Sequence, residues 1–228
     1  MMARMRRVVR IVSVALVTAG IVLLAEVAVT LLWKEPLSAI YAEIRQNQAA
    51  NQLDEIRSGF FGDPDVATAA TSDAEDEQRA KRLAELFAAQ AQNGKPIGRI
   101  LVPSIDADYV LIQGTDEADL KLGPGHYPES AFPGQGRTVA VAGHRTTYGA
   151  PFNRIDSIDV GDTISLQMPY GRFTYEVGKT RIVDPDQTGI VRDIGRERLV
   201  LTSCHPLYSA AQRYAVLADL KRFELARP

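Results

Sequence analysis

Residues 11–33, IVSVALVTAGIVLLAEVAVTLLW, form an apolar run with one charge, Glu26. At about 1.5 Å per residue, a helix of this length crosses a hydrocarbon core of about 30 Å, which predicts a membrane-spanning segment. Glu26 lies towards its C-terminal end, where a carboxylate reaches the headgroups more easily. Next comes EPLSAIYAEIRQNQAANQLDEIR, with an early proline and then helix-favouring residues, so a helical stalk is expected over 37–57. The following stretch, SGFFGDPDVATAATSDAEDEQ, has no period and mixes Gly, Pro, Ala, Thr and acids. It predicts a linker, with Phe60 and Phe61 as apolar exceptions suited to docking. Ser72 and Glu75 have the spacing of a capping box, and Ala80, Leu83, Ala84, Phe87, Ala88 and Ala91 follow at helical intervals. A second helix is therefore expected from Ser72 to a stop at Asn93-Gly94.

Beyond Gly98 the period shortens. The runs IGRILVP, DYVLIQG, RTVAVAGH, DTISLQMP, RFTYEVGKTRIV, RLVLTSC and QRYAVLADL are apolar or alternating, and turn residues separate them. Seven or eight short strands with clustered Gly and Pro predict a closed or nearly closed β-barrel rather than βαβ units. The clearest hairpin is GDTISLQMPYGRFTYEV, turning at Pro169, Tyr170 and Gly171.

Composition and charge narrow the function. The chain has 228 residues, 46% of them hydrophobic, enough for one folded domain with an appendage. Arg4, Arg6, Arg7 and Arg10 precede the apolar run, which by the positive-inside rule puts the N-terminus in the cytoplasm and the rest outside. Trp33 and Lys34 then mark the outer interface. Residues 34–228 hold 22 basic and 27 acidic side chains, a balance with no basic face for nucleic acid. The run is longer than the core of a signal peptide and lacks a small-x-small cleavage site, so it reads as an uncleaved anchor.

The single cysteine, Cys204, excludes an internal disulfide and any multi-cysteine zinc site. A free cysteine is commonly a small buried hydrophobe. An unpaired thiol on an extracellular domain is exposed to oxidation and mispairing, so it asks for a chemical reason. A thiol of ordinary pKa needs a base or cation beside it to act as a nucleophile. His205 adjoins Cys204, but successive side chains of an extended segment point to opposite faces, and Pro206 favours extended geometry at 205. His126 lies in a Gly/Pro loop that the sequence does not place. His144 closes the strand RTVAVAGH as Cys204 closes RLVLTSC, so two strands ending at one rim bring those side chains together. Arg213, separated from Cys204 by eight residues, returns in the next strand and is suited to donate to an oxyanion, whereas most strand arginines simply face solvent. Asp184 and Asp186 flank a proline and read as a solvated turn, so no metal and no cofactor is expected.

The segments IGRILVPSI, KLGPGHYPESAFPGQG, VAVAGHRTTYGAPF and LVLTSCHPLYSAAQRYAV resemble the sortase family, and HRTTYGAPF and TSCHP are most similar to its class E members. The resemblance covers about residues 95–222 and implies a closed eight-stranded β-barrel and a cysteine transpeptidase, with Cys204 as nucleophile, His144 as its histidine and Arg213 as the arginine. It implies cleavage of a Leu-Ala-x-Thr-Gly or Leu-Pro-x-Thr-Gly sorting signal on secreted proteins, and transfer to an amine of a peptidoglycan precursor or a pilin. Tyr148 is the candidate for reading the signal's second position, or else a rim aromatic that packs its loop. Ser203 keeps the hydroxyl that the family places beside the nucleophile, while Val200 replaces a common threonine. The resulting domain plan is a cytoplasmic tail (1–10), an anchor (11–33), an extracellular helical stalk and linker (34–95) and a catalytic barrel (96–228). Two other readings stay open: a different extracellular cysteine acyltransferase, such as an L,D-transpeptidase, and a non-catalytic barrel that binds cell-surface proteins with Cys204 merely buried.

Overall fold

The computed structural model describes residues 2–33 and 36–226, with side chains over 5–28 and 38–226, so the interfacial pair Trp33 and Lys34 lies outside the described side chains. Four helices come first: α1 (Met2–Trp33), α2 (Pro36–Phe61), α3 (Pro64–Thr71) and α4 (Asp76–Gln90). The stretch Met5–Ala28 of α1 has a mean hydropathy of 2.5 and buries nothing against the protein, so it is long and apolar enough to cross a membrane. The strands follow: β1 (Pro96–Val102), β2 (Ala107–Gln113), β3 (Gly125–His126), β4 (Thr138–Ala142), β5 (Thr163–Met168), β6 (Gly171–Val183), β7 (Arg198–His205) and β8 (Gln212–Leu225), with a one-turn helix α5 (Glu117–Leu120) between β2 and β3.

The strands close into a barrel in the order β1-β2-β3-β4-β7-β8-β6-β5. Closure leaves no free sheet edge, and inward residues such as Ile100, Leu111, Val141, Phe173, Tyr175 and Leu201 fill the interior. Most neighbours are antiparallel, but β4 runs parallel to β7, from Thr138↔Arg198 to Ala142↔Thr202. That parallel pair carries its two chain ends to the same rim. β5 and β6 form the expected hairpin, with Met168 opposite Gly171. β3, only two residues long, has too little alternation to announce itself in the sequence.

The segment expected to be a linker is mostly helical. Asp63 caps α3 by accepting from the Asp65 amide at 2.9 Å, and Pro64 occupies its first turn. Phe60 ends up 2% exposed, packed edge-on against Phe87, with ring centroids 5.3 Å apart, and against Tyr170 at 6.2 Å. Burial of two aromatic faces outweighs the weak local pattern. The capping box at Ser72 does not form either: Ser72 ends α3, and α4 starts after Glu75, which makes no side-chain cap. The helix also ends at Gln90, short of Gly94.

α2 lies along the barrel. Gln46 Nε2 donates to the carbonyls of Val110 (3.2 Å) and Leu122 (2.7 Å), and its Oε1 accepts from the Val110 amide at 2.6 Å. One side chain thus satisfies three backbone groups that would otherwise need water.

Candidate active site

The rim where β4 and β7 end together holds the residues that the sequence singles out for chemistry. The last rung of their ladder runs from the Gly143 amide to the Thr202 carbonyl at 3.1 Å. One residue beyond Gly143 is His144, and two beyond Thr202 is Cys204, which is partly exposed with a free thiol. Across the sheet, Cys204 faces Arg213 of β8 as its direct antiparallel partner. Directly opposed residues project from the same face with Cβ atoms about 4.5–5.5 Å apart, so thiol and guanidinium emerge side by side. Nη1 of Arg213 donates to the carbonyls of Ala210 and Gln212, both at 3.0 Å. An arginine has five N–H donors, so those on Nε and Nη2 are not consumed by these two bonds.

His144 is half-buried, and its main-chain carbonyl is fixed by the Phe152 amide at 3.1 Å. Burial pushes its imidazole pKa down from the ordinary value, Lys121 pushes the same way, and Glu117 opposes them. The lowered pKa favours the neutral ring, the form that accepts a proton. Its Nε2 is buried and has no hydrogen-bond partner among the described residues. A basic nitrogen left without a partner at a barrel rim is suited to a proton that arrives with a reaction.

Tyr148 lies against His144, with ring centroids 5.3 Å apart. It is one of three successive residues in the left-handed region, with φ of 50° at Tyr148, 76° at Gly149 and 45° at Ala150. Such geometry is strained for residues that carry a Cβ, and it marks a loop held by its surroundings. The holders come partly from α2: Ser38 Oγ accepts from the Tyr148 amide at 3.4 Å, and the Tyr41 ring meets the Tyr148 ring edge-on at 6.4 Å. Lys121 Nζ sits 5.7 Å from the Tyr148 ring centroid.

Ser203, expected at the substrate, is 3% exposed, and its hydroxyl donates to the Gly143 carbonyl at 2.7 Å. That donor is committed to tying β7 to the His144 segment. His126 is wholly buried, with Nδ1 2.9 Å from the Gln113 side-chain amide and Nε2 2.9 Å from the Ala131 carbonyl, so it serves the core beneath β3. His205 points to the opposite face of β7 from Cys204, beside Tyr214 at 5.8 Å. Its Nδ1 lies 3.0 Å from Nη1 of Arg145, a residue that a motif-based reading passes over although it directly follows His144.

The Sortase domain family model matches residues 100–221, more than half of the chain. Sortase D of Bacillus subtilis is 37% identical over 129 residues, which cover 55% of this chain and 64% of that protein. Sortase SrtE2 of Streptomyces coelicolor is 30% identical over 147 residues, 56% of this chain and 57% of the relative. The chain thus spans less than two thirds of the length of these relatives. The solved structure of sortase E from Streptomyces avermitilis superposes with a TM-score of 0.54 at 29% identity, covering 59% of this chain and 93% of that one.

Proposed function

The chain belongs to the sortase family, and from that premise we propose that it is a membrane-anchored cysteine transpeptidase that cleaves a Leu-Ala-x-Thr-Gly or Leu-Pro-x-Thr-Gly sorting signal between Thr and Gly. The observation that carries the proposal is the register that sets Cys204 opposite Arg213 while β4 delivers His144 to the same rim. The thiol proton passes to His144, and Cys204 Sγ adds to the threonine carbonyl. Arg213 donates to the oxyanion. Collapse expels the glycine amine, which takes the proton from His144 and leaves a thioester on Cys204. An incoming amine then attacks the thioester, gives a proton to His144, and releases the thiolate as the new amide forms. Peptidoglycan precursors and pilin lysines both offer such an amine. Tyr148, beside His144, contacts the second position of the signal.

In this proposal the four early arginines keep the tail (1–10) cytoplasmic, residues 11–33 anchor the chain, and the helical segment 34–95 and barrel 96–228 lie outside. Thiol chemistry separates this reading from a non-catalytic barrel. Full-length protein in detergent micelles should lose all peptide cleavage after stoichiometric alkylation of Cys204 by iodoacetamide, and Cys204→Ala should be inactive. A native thiol that resists iodoacetamide at neutral pH supports the binding barrel instead.

A further inference from the structure

We propose that Arg145 is a positioning residue for the nucleophile, completing with its side chain the strand ladder that the backbone leaves unfinished; this rests on the reading of Cys204 as nucleophile. In a parallel pair, successive rungs are evenly spaced, so after Gly143 N–H to the Thr202 carbonyl the next rung would run from residue 145 to the Cys204 carbonyl. The chain leaves the sheet after Ala142 and runs from His144 into the loop whose residues 148–150 are left-handed. The Arg145 guanidinium supplies the missing donor: Nη1 donates to the Cys204 carbonyl at 3.3 Å.

The guanidinium is held in place from the other side. Arg145 is 4% exposed. Its Nη2 pairs with the Asp156 carboxylate and its Nε donates to the Asn153 carbonyl at 3.3 Å, while Asn153 Nδ2 donates back to the Arg145 carbonyl at 2.8 Å. A buried cation is costly unless its donors are met, and here each arm of the fork has a partner. The result is a rigid strut from the 153–156 loop to the main chain of the nucleophile, rooted one residue after His144. The same Nη1 donates to His205 Nδ1, so Nδ1 is the accepting nitrogen of that ring. His205 thereby acts as the second acceptor that steers the strut.

Lysine at 145 would keep the charge next to Asp156 but cannot reach Asp156, Asn153, Cys204 and His205 together, because its ammonium is a single point. The test compares full-length wild type, Arg145→Lys, Arg145→Gln and a core control, Ile164→Ala, whose fully buried side chain lies in β5 on the other side of the barrel. Three quantities are read: thermal midpoint, kcat and KM on the sorting-signal peptides, and the rate of Cys204 alkylation by iodoacetamide. Loss of the strut should lower kcat about tenfold or more in both Arg145 variants, with KM within about twofold, and slow alkylation several-fold. Ile164→Ala should lose thermal stability but keep the kcat and alkylation rate of its folded fraction. If Arg145→Gln does not fold, Arg145→Lys decides. Wild-type kcat and alkylation in Arg145→Lys, or losses that merely track thermal midpoint as in the control, overturn the inference. If wild type cleaves neither peptide while the Arg145 variants still slow alkylation, the substrate reading fails and the strut stands.

Discussion

Cys204 on β7 and Arg213 on β8 are direct cross-strand partners in an antiparallel ladder, one step from the end of the pairing at His205↔Gln212. Rigid strands rather than loops thus set the separation of thiol and guanidinium. Replacing Arg213 by Ala should lower kcat by about 10²–10³, the range for loss of an oxyanion donor, with little change in KM. Arg213→Lys should recover only part of this. Steady-state kinetics on peptide substrate measure it, and a full-rate Arg213→Ala removes Arg213 from the mechanism.

Lys121 depresses the basicity of His144 while Glu117 raises it. Removing the cation in Lys121→Gln should move the His144 pKa upward, because the charge that opposed protonation is gone and Glu117 remains. The limb of the pH–rate profile that reports His144 should shift to higher pH, and salt should weaken the effect as befits a solvent-screened charge. A downward shift would show that Lys121 acts on another group.

His126 is pushed down to about 4, chiefly by burial, against an ordinary value of 6.5. Below 6.5 the unfolded chain binds a proton that the native chain refuses until about pH 4. Stability from this group is therefore fully present above pH 6.5 and is lost as pH falls from there towards 4, by on the order of 3 kcal/mol. Denaturant unfolding at pH 7 and pH 4.5, with an NMR titration of the imidazole, checks this. An imidazole that titrates near 6.5 in the native protein contradicts it.

Gln46 joins α2 to the barrel through three hydrogen bonds. Gln46→Ala should cost about 1–3 kcal/mol of docking, since the Val110 amide loses its acceptor. Hydrogen exchange should rise in α2 and in the loop around Tyr148, while β7 and β8 stay protected. Unchanged exchange in α2 would show that its apolar face alone holds it.

Much of the barrel is legible in the sequence because its strands alternate cleanly or run apolar between Gly and Pro. The contents of the rim are partly legible. Strand ends flag Cys204 and His144, and opposite-face alternation sets His205 apart from the thiol. The rest needs three dimensions. Arg145 reaches the Cys204 carbonyl across 59 positions of sequence, and nothing in local pattern announces a side chain standing in for a backbone rung. The helix α3 escapes notice because an Ala/Thr-rich stretch carries little periodic signal, and it is held by burial of its own Val66 and Ala69 in the core cluster that includes Phe60. Ser203 misleads for a similar reason: a hydroxyl beside the lone thiol looks available until its acceptor, Gly143, is seen.

The most direct test is mass spectrometry of full-length protein mixed with a Leu-Ala-x-Thr-Gly or Leu-Pro-x-Thr-Gly peptide, first alone and then with triglycine. The expected result is an adduct on Cys204 carrying the peptide up to Thr, which disappears on adding triglycine as the Thr-triglycine product forms, with neither species in Cys204→Ala. Cleavage at any bond other than Thr-Gly, or product formation that survives Cys204→Ala, would contradict it.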